Sequence, residues 1–441
     1  MNINRLVTNS AAGLVALTLA ACTTLGASSA QTPASTVTGT SQGSQISSTA
    51  ATSTSTGTTG SATTTGFGSL DTHWDEDDLV WDPAEEQSVA LAAGASEEDS
   101  ADVTVDEDVV TITAGGVYRL TGTLSDGQVV VTAPDDETVT LILDGVDITS
   151  TAGPALAVVS ADEVTLVLAE GTDTTLPDGV GYEVADDATP VAALASASDL
   201  TLTGSGSLTV TGRTNDGISS SDGLVLTPGT GRVSVKAVDD GVRGKDYVDL
   251  LGGTLTITAG GDGVKADNTT DADRGWVLVG GADVTVDAGD DGVKGEQGLQ
   301  VSSGAVTVTS SVEGMESAAI LISGGTVAVT ASDDGLNATA VEGIQGGAES
   351  DDGSLLRVSG GTVTVVAGTD GLDVNGSAEL LGGTITITSA ANGMESPVDV
   401  NGELTLDGTQ MTANGTAITS ADPLAVHRGG PRGEMAPSPR R

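Results

Sequence analysis

Leu250-Leu251-Gly252-Gly253-Thr254-Leu255-Thr256-Ile257-Thr258, followed closely by Asp262-Gly263-Val264, is one unit of a pattern that governs the chain from residue 200 onward. It returns as Ile322-Ser323-Gly324-Gly325-Thr326-Val327-Ala328-Val329-Thr330 and as Leu380-Leu381-Gly382-Gly383-Thr384-Ile385-Thr386-Ile387-Thr388. Alternate residues of an extended strand point to opposite faces. Leu255 and Ile257 therefore share an inward face, and Thr254, Thr256 and Thr258 an outward one. Each unit reads as aliphatic strand, Gly-Gly-Thr turn, alternating strand, acidic turn and aliphatic residue.

The acidic phrase fixes the period. It occurs as Asp216-Gly217-Ile218, Asp240-Gly241-Val242, Asp262-Gly263-Val264, Asp291-Gly292-Val293, Glu313-Gly314-Met315, Asp334-Gly335-Leu336, Asp370-Gly371-Leu372 and Asn392-Gly393-Met394. Successive first residues are 24, 22, 29, 22, 21, 36 and 22 positions apart. A period near 22 belongs to solenoid repeats. The two long intervals carry extra residues at one phase, 268–274 and 339–353, as loops on one side of a regular stack would. Coils of about 22 residues hold two or three short strands, each pairing with its copy one coil away at about 4.8 Å. The expected fold is all-β, a parallel β-helix.

Outside the repeat, composition divides the chain. Residues 1–22 hold a single early charge, Arg5, an apolar run from Leu14 to Ala21, and Leu19-Ala20-Ala21-Cys22. This resembles a bacterial lipoprotein signal, which implies that Cys22, the sole cysteine, is lipidated. The protein is then expected to be extracytoplasmic and held to the bacterial membrane by its lipid. Residues 23–68 are Ser, Thr, Gly and Ala with little to bury, a flexible linker. Residues 69–100 are an acidic lead-in or cap, 101–420 the β-helix and 421–441 a disordered basic tail. His73, Trp74 and Trp81 in the lead-in are read as part of a docked terminus rather than a binding site.

Lys and Arg number 15 against 62 Asp and Glu, a formal net charge of −47. That argues against nucleic acid as a partner, since phosphate is held by Lys and Arg, and it favours cations. Aromatics are 2% of the chain, too few and too scattered for a platform on which neutral sugars stack.

In-register stacking converts sequence phase into columns. Asp216, Asp240, Asp262, Asp291, Glu313, Asp334, Asp370 and Asn392 form one, thickened by Asp239, Asp290 and Asp333. Carboxylates about 5 Å apart repel by about 0.8 kcal/mol even in water. Ca²⁺, which collects six to eight oxygens in tolerant geometry, is the expected counterion; the alternative is turn chemistry with the side chains splayed into water. Two residues past each glycine runs a second column, Ser219, Arg243, Lys265, Lys294, Glu316, Asn337, Asp373 and Glu395, with Lys245 beside Arg243. Asp246, Asp267 and Glu296 stand near these bases as ion-pair partners or further calcium ligands. Arg243, Lys245, Lys265 and Lys294 are the candidate ligand-binding residues, facing the carboxylates of an acidic polysaccharide.

Gly122-Thr123-Leu124-Ser125-Asp126-Gly127, Leu143-Asp144-Gly145-Val146-Asp147-Ile148, Thr214-Asn215-Asp216-Gly217-Ile218, Asp239-Asp240-Gly241-Val242-Arg243-Gly244-Lys245-Asp246 and Gly261-Asp262-Gly263-Val264-Lys265 carry a resemblance. The chain from Thr104 to Thr419 resembles bacterial carbohydrate-binding-domain proteins typified by a clostridial polygalacturonate-binding protein. The resemblance implies a right-handed parallel β-helix, bound calcium and non-catalytic binding of a uronate polymer such as pectin backbone. A monomer is expected. Alternatives are a pectate-lyase-type enzyme with Lys265 or Lys294 as base, and an adhesive surface rod whose calcium serves rigidity. A third is an ice-binding face of Thr256, Thr285, Thr307, Thr364 and Thr386, which Ala328 interrupts.

Overall fold

The computed structural model describes residues 72–421, apart from 95, 99, 184–188, 272, 342–349 and 391–395. Cys22, the linker, the basic tail, Asn392 and Glu395 lie outside the described residues. The described part is a parallel β-solenoid of about 11 turns with coils of about 25 residues. Long early coils and the two insertions lift that average above the 22 of the purest repeats.

Each coil contributes three strands. An acidic face of short strands follows the acidic phrase, with Asp216–Ser220, Val242–Gly244, Val264–Ala266, Val293–Gly295, Met315–Ser317, Leu336–Ala338 and Leu372–Val374 paired parallel in succession. A middle face runs through Glu163–Leu168, Asp199–Thr203, Gly223–Leu226, Tyr247–Leu250 and Trp276–Val279. A threonine face includes Arg232–Ala237, Thr254–Thr258 and Asp283–Asp287. Alternation is as expected: Leu255 and Ile257 are buried in the core, while Thr256 and Thr258 are exposed. Both insertions leave the acidic face and return to the middle face, between Val264–Ala266 and Trp276–Val279 and between Leu336–Ala338 and Leu355–Val358.

Two details depart from the sequence expectation. The β-structure begins at Gln87 rather than near 101, because Gln87–Ala92 pairs parallel with Gly116–Leu124 and is itself closed by Glu97–Glu98 in antiparallel register. At the other end Gln410–Ala413 folds back antiparallel on Thr416–Ile418. Second, Leu372 pairs with Val398 and Asp373 with Asp399, so Ser396 rather than Asn392 stands one rung past Asp370.

The glycines divide their labour. Gly253, Gly325 and Gly383, the second glycines of the Gly-Gly-Thr turns, have φ of 84°, 71° and 78°, where a β-carbon is strained. Among the described residues the glycines of the acidic phrase have no positive φ; they are there for closeness. A β-carbon on Gly263 would lie 2.3 Å from Val286 Cγ1 and 2.5 Å from the Gly292 carbonyl oxygen. That carbonyl accepts the Val264 amide at 3.2 Å, so it cannot retreat without breaking the ladder.

Candidate functional site

The acidic column is a buried ladder. Asp216, Asp240, Asp262 and Asp291 are 3–6% exposed, because the turn places them against the coil above. One oxygen of each of the first three accepts the backbone N–H of the next acid: Asp240 N to Asp216 Oδ1 at 3.3 Å, Asp262 N to Asp240 at 2.8 Å and Asp291 N to Asp262 at 2.9 Å. Asp370 N repeats this on Asp334 at 2.8 Å, and Ser396 N donates to Asp370. The side chains are therefore not splayed into water. Asp239 and Asp290 are exposed beside the column and Asp333 is half-buried.

The second oxygens meet the basic column, whose register is Ser219, Arg243, Lys265, Lys294, Glu316, Asn337, Asp373 and then Asp399. Lys265 Nζ lies 3.2 Å from Asp240 and 2.8 Å from Asp262. Lys294 Nζ lies 3.1 Å from Asp291 and 2.8 Å from Glu316. Both lysines thus bridge neighbouring rungs, which partly relieves the repulsion along the column. Arg243 turns to Asp267 at 2.7 Å and to Ser219 at 3.3 Å, and Lys245 is exposed. Asp246 is drawn off toward the middle face by Arg274, at 3.4 Å, and by the Asn268 amide, at 2.8 Å.

The charges do not balance. Asp291, Glu313 and Glu316 bring three carboxylates around one ammonium, with ligand oxygens within 4.8 Å of one another; Asp262, Asp290 and Asp291 make a second such group. Burial first and Glu316 second push Asp291 up to about 7 against the pull of Lys294. Burial and the hydrogen bond to Glu316 push Glu313 up to about 9. Burial and Asp240 raise Asp216 to about 7. Two coils on, burial and then Asp334, Asp370 and Asp399 raise Asp373 to about 7. Glu313 stands in the column for which calcium was expected; Glu316, from the second column, was not among the expected metal ligands. Glu313 breaks the amide-capping ladder because its longer side chain swings to Asn337, at 2.7 Å; the Asp-to-Glu change at that one rung is the signal that could have found it.

Such oxygen sets suit a hard cation. The Asp291–Glu313–Glu316 group fits Ca²⁺ in donor type and in mutual reach, provided Lys294 moves aside. Asp262 and Asp290, with Asp291 shared, fit on the same grounds.

Alongside lies an open cavity of about 380 Å³, lined among others by Lys265, Lys294, Glu296, Glu316, Ser317 and Thr339. Side chains of Lys265 and Lys294 are 25% and 22% exposed there. Removing the charge by Lys294→Met leaves Asp291 and Glu316 without their cation. Breaking a fully buried pair costs about 3–5 kcal/mol, and partial exposure lowers the expectation here to about 2 kcal/mol. Urea denaturation in chelator reads this; an unmoved midpoint would mean that Lys294 does not hold the column together.

A family model described as "Carbohydrate-binding domain-containing protein" matches residues 106–353. A relative of the same description from Acetivibrio thermocellus is 35% identical over 137 residues, which is 31% of this chain and 47% of the relative, so the match spans about half of that protein. A solved structure of a polysaccharide lyase-like protein from C. thermocellum, a gadolinium derivative, is 34% identical with a TM-score of 0.49, covering 51% of this chain and 91% of that one.

Proposed function

Because the chain belongs to the carbohydrate-binding domain-containing protein family, we propose that it binds an acidic polysaccharide of the polygalacturonate type, without catalysis, through the cavity beside Lys265 and Lys294. The observation that carries this proposal is the pair of partly exposed ammonium groups on adjacent rungs, each next to a carboxylate cluster with more negative charge than its lysine neutralises. A uronate carboxylate gains from the ammonium groups, and Ca²⁺ held by Asp291, Glu313 and Glu316, or by Asp262 and Asp290, bridges it to the protein. Without the cation, a chain of net charge −47 repels a polyanion. Arg243 contributes field rather than contact, since Asp267 already engages its guanidinium.

A binding role is favoured over a lyase by the state of the lysines. Burial alone would ease their deprotonation, but Asp262 and Asp240 around Lys265, and Glu316 and Asp291 around Lys294, more than offset it and raise both above the ordinary lysine range. An amine so held is a poor proton acceptor as long as these carboxylates carry no cation. In this proposal Cys22 carries the lipid that keeps the domain on the outer side of the bacterial membrane, supported by the apolar run that ends at Leu19-Ala20-Ala21-Cys22.

The test is co-sedimentation of the protein with insoluble polygalacturonate at fixed ionic strength, with calcium or with excess chelator. An unrelated acidic protein controls for calcium crosslinking of the polymer. Retention that chelator abolishes is expected, as is a several-fold loss in Glu313→Gln/Glu316→Gln. No retention in either condition would sink uronate binding. Ultraviolet absorbance from an unsaturated product would instead establish the lyase.

A further inference from the structure

Lys294 has both of its partners inside the oxygen group that suits Ca²⁺. Its Nζ lies 3.1 Å from Asp291 Oδ2 and 2.8 Å from Glu316 Oε1. Asp291, Glu313 and Glu316 bring ligand oxygens within 4.8 Å of one another. Lys265 differs, because Asp262 belongs to the second oxygen group and Asp240 does not. A cation in that second group leaves Lys265 one carboxylate to hold. A cation in the Asp291–Glu313–Glu316 group leaves Lys294 none.

The next rung offers this group a further oxygen. Asn337 stands in register with Glu316, and its side-chain amide donates to Glu313 Oε2 at 2.7 Å. Its own Oδ1 is buried without a hydrogen-bond partner among the described residues, in a residue 8% exposed. A buried carbonyl oxygen rarely goes unpaired. Turning the carboxamide over exchanges nitrogen for oxygen beside Glu313, which suits a hard cation there and not the metal-free carboxylates.

Ca²⁺ and the ammonium compete for the same two oxygens. The metal gains from all three carboxylates and carries twice the charge, whereas Nζ reaches two of the three. Lys294 also has somewhere to go. Its four-carbon stem is flexible, and with Glu316 it lines the open cavity of about 380 Å³, where its side chain is already 22% exposed.

Resting on the calcium-bridged reading above, we propose that Lys294 is a tethered place-holder for the metal. Without calcium its ammonium occupies the position between Asp291 and Glu316. Ca²⁺ taking that position turns the ammonium out into the cavity, where it meets a sugar carboxylate. The freed group stays charged, because the sugar carboxylate replaces Glu316 beside it. Metal and polymer then help one another: calcium releases to the polymer an ammonium that the metal-free protein keeps for itself. By linkage the polymer raises calcium affinity by the same factor.

Reductive methylation of the full chain, read lysine by lysine by mass spectrometry, tests the exchange without any polymer. The chain has four lysines, Lys236, Lys245, Lys265 and Lys294. CaCl₂ in place of chelator is expected to raise the labelling rate of Lys294 severalfold and that of Lys265 less. Lys236 and Lys245, both exposed, are expected to stay unchanged. In calorimetric titration with CaCl₂, Lys294→Met is expected to bind about tenfold more tightly than the natural chain. Lys245→Met makes the same change of net charge and is expected to bind as the natural chain does. Lys294 labelling that calcium leaves unchanged or slows overturns the proposal. So does an unchanged calcium affinity in Lys294→Met, or an equal gain in Lys245→Met, which would make the effect one of net charge. The underlying reading fails separately: unretained polymer with calcium still exposing Lys294 would end uronate binding and keep the exchange. Calcium binding to neither protein would end both.

Discussion

Gly263→Ala is expected to lower the unfolding free energy by about 3 kcal/mol, the upper end of the cost of overpacking a core. The added methyl meets Val286 Cγ1 on one side and the Gly292 carbonyl on the other. The side chain has room to rotate only by losing its packing, and the carbonyl is fixed by the Val264 amide. Gly292, Gly314, Gly335 and Gly371 meet the same pair of obstacles, a β-branched methyl and the carbonyl of the next glycine or proline. Gly94→Ala is the control: φ is +65° but nothing lies within 4 Å, so left-handed strain of about 1 kcal/mol is all it adds. Chemical denaturation of both variants measures the difference. Equal midpoints would show that successive coils have slack at the acidic turns.

The second large effect is a reversal of the usual acid sensitivity. Asp216, Asp291 and Asp373 each have a folded-state value of about 7 against an ordinary 3.8. Between those limits the folded chain holds protons that the unfolded chain has released, so stability falls as pH rises. For Asp216 alone, the rise from 3.8 to about 7 corresponds to on the order of 4 kcal/mol. In chelator, the melting temperature should be highest near pH 4–5 and decline toward pH 8. Saturating Ca²⁺ should remove the share of that decline due to Asp291, because it binds the ionised clusters that contain this residue and stabilises by about 2.7 kcal/mol at a hundredfold excess over its dissociation constant; the shares of Asp216 and Asp373, outside those clusters, should remain. A chelated protein whose melting temperature is flat from pH 5 to 8 would mean that the buried acids are not protonated when folded. A decline that Ca²⁺ leaves untouched would remove the metal from the proposal.

Much of the fold was legible because a solenoid repeats its instructions. Leu255 and Ile257 face inward and Thr256 outward for reasons contained in five residues, and the pairing of Lys265 with Lys294 follows from counting. What stayed hidden depends on the third dimension. Asp-Gly in the acidic phrase looks like turn chemistry, yet its glycine serves the approach of the next coil, which no single coil reveals. Asp246, Asp267 and Glu296 are the ion-pair partners that sequence proximity suggests for the basic column; Lys265 reaches instead the two buried acids of its own edge, because their second oxygens are already dry and close. Ser396 holds the rung past Asp370 without any copy of the phrase, since register is set by pairing and not by resemblance. Tyr247 and Trp276 are 29 residues apart in sequence, and Trp74, which packs against both, is farther still. Only the parallel register makes the first two neighbours, and nothing local to Trp74 says where it docks.

The two short antiparallel returns, Glu97–Glu98 on Gln87–Ala92 and Thr416–Ile418 on Gln410–Ala413, occupy edges that would otherwise present a row of free N–H and C=O groups. Every other coil on that sheet is a template for the one after it, and a template has no built-in reason to stop. A molecule stripped of both returns would offer its last rung to the first rung of another copy, and the same ladder that stacks its coils would make it grow. The hairpins are full stops: they give the protein a length.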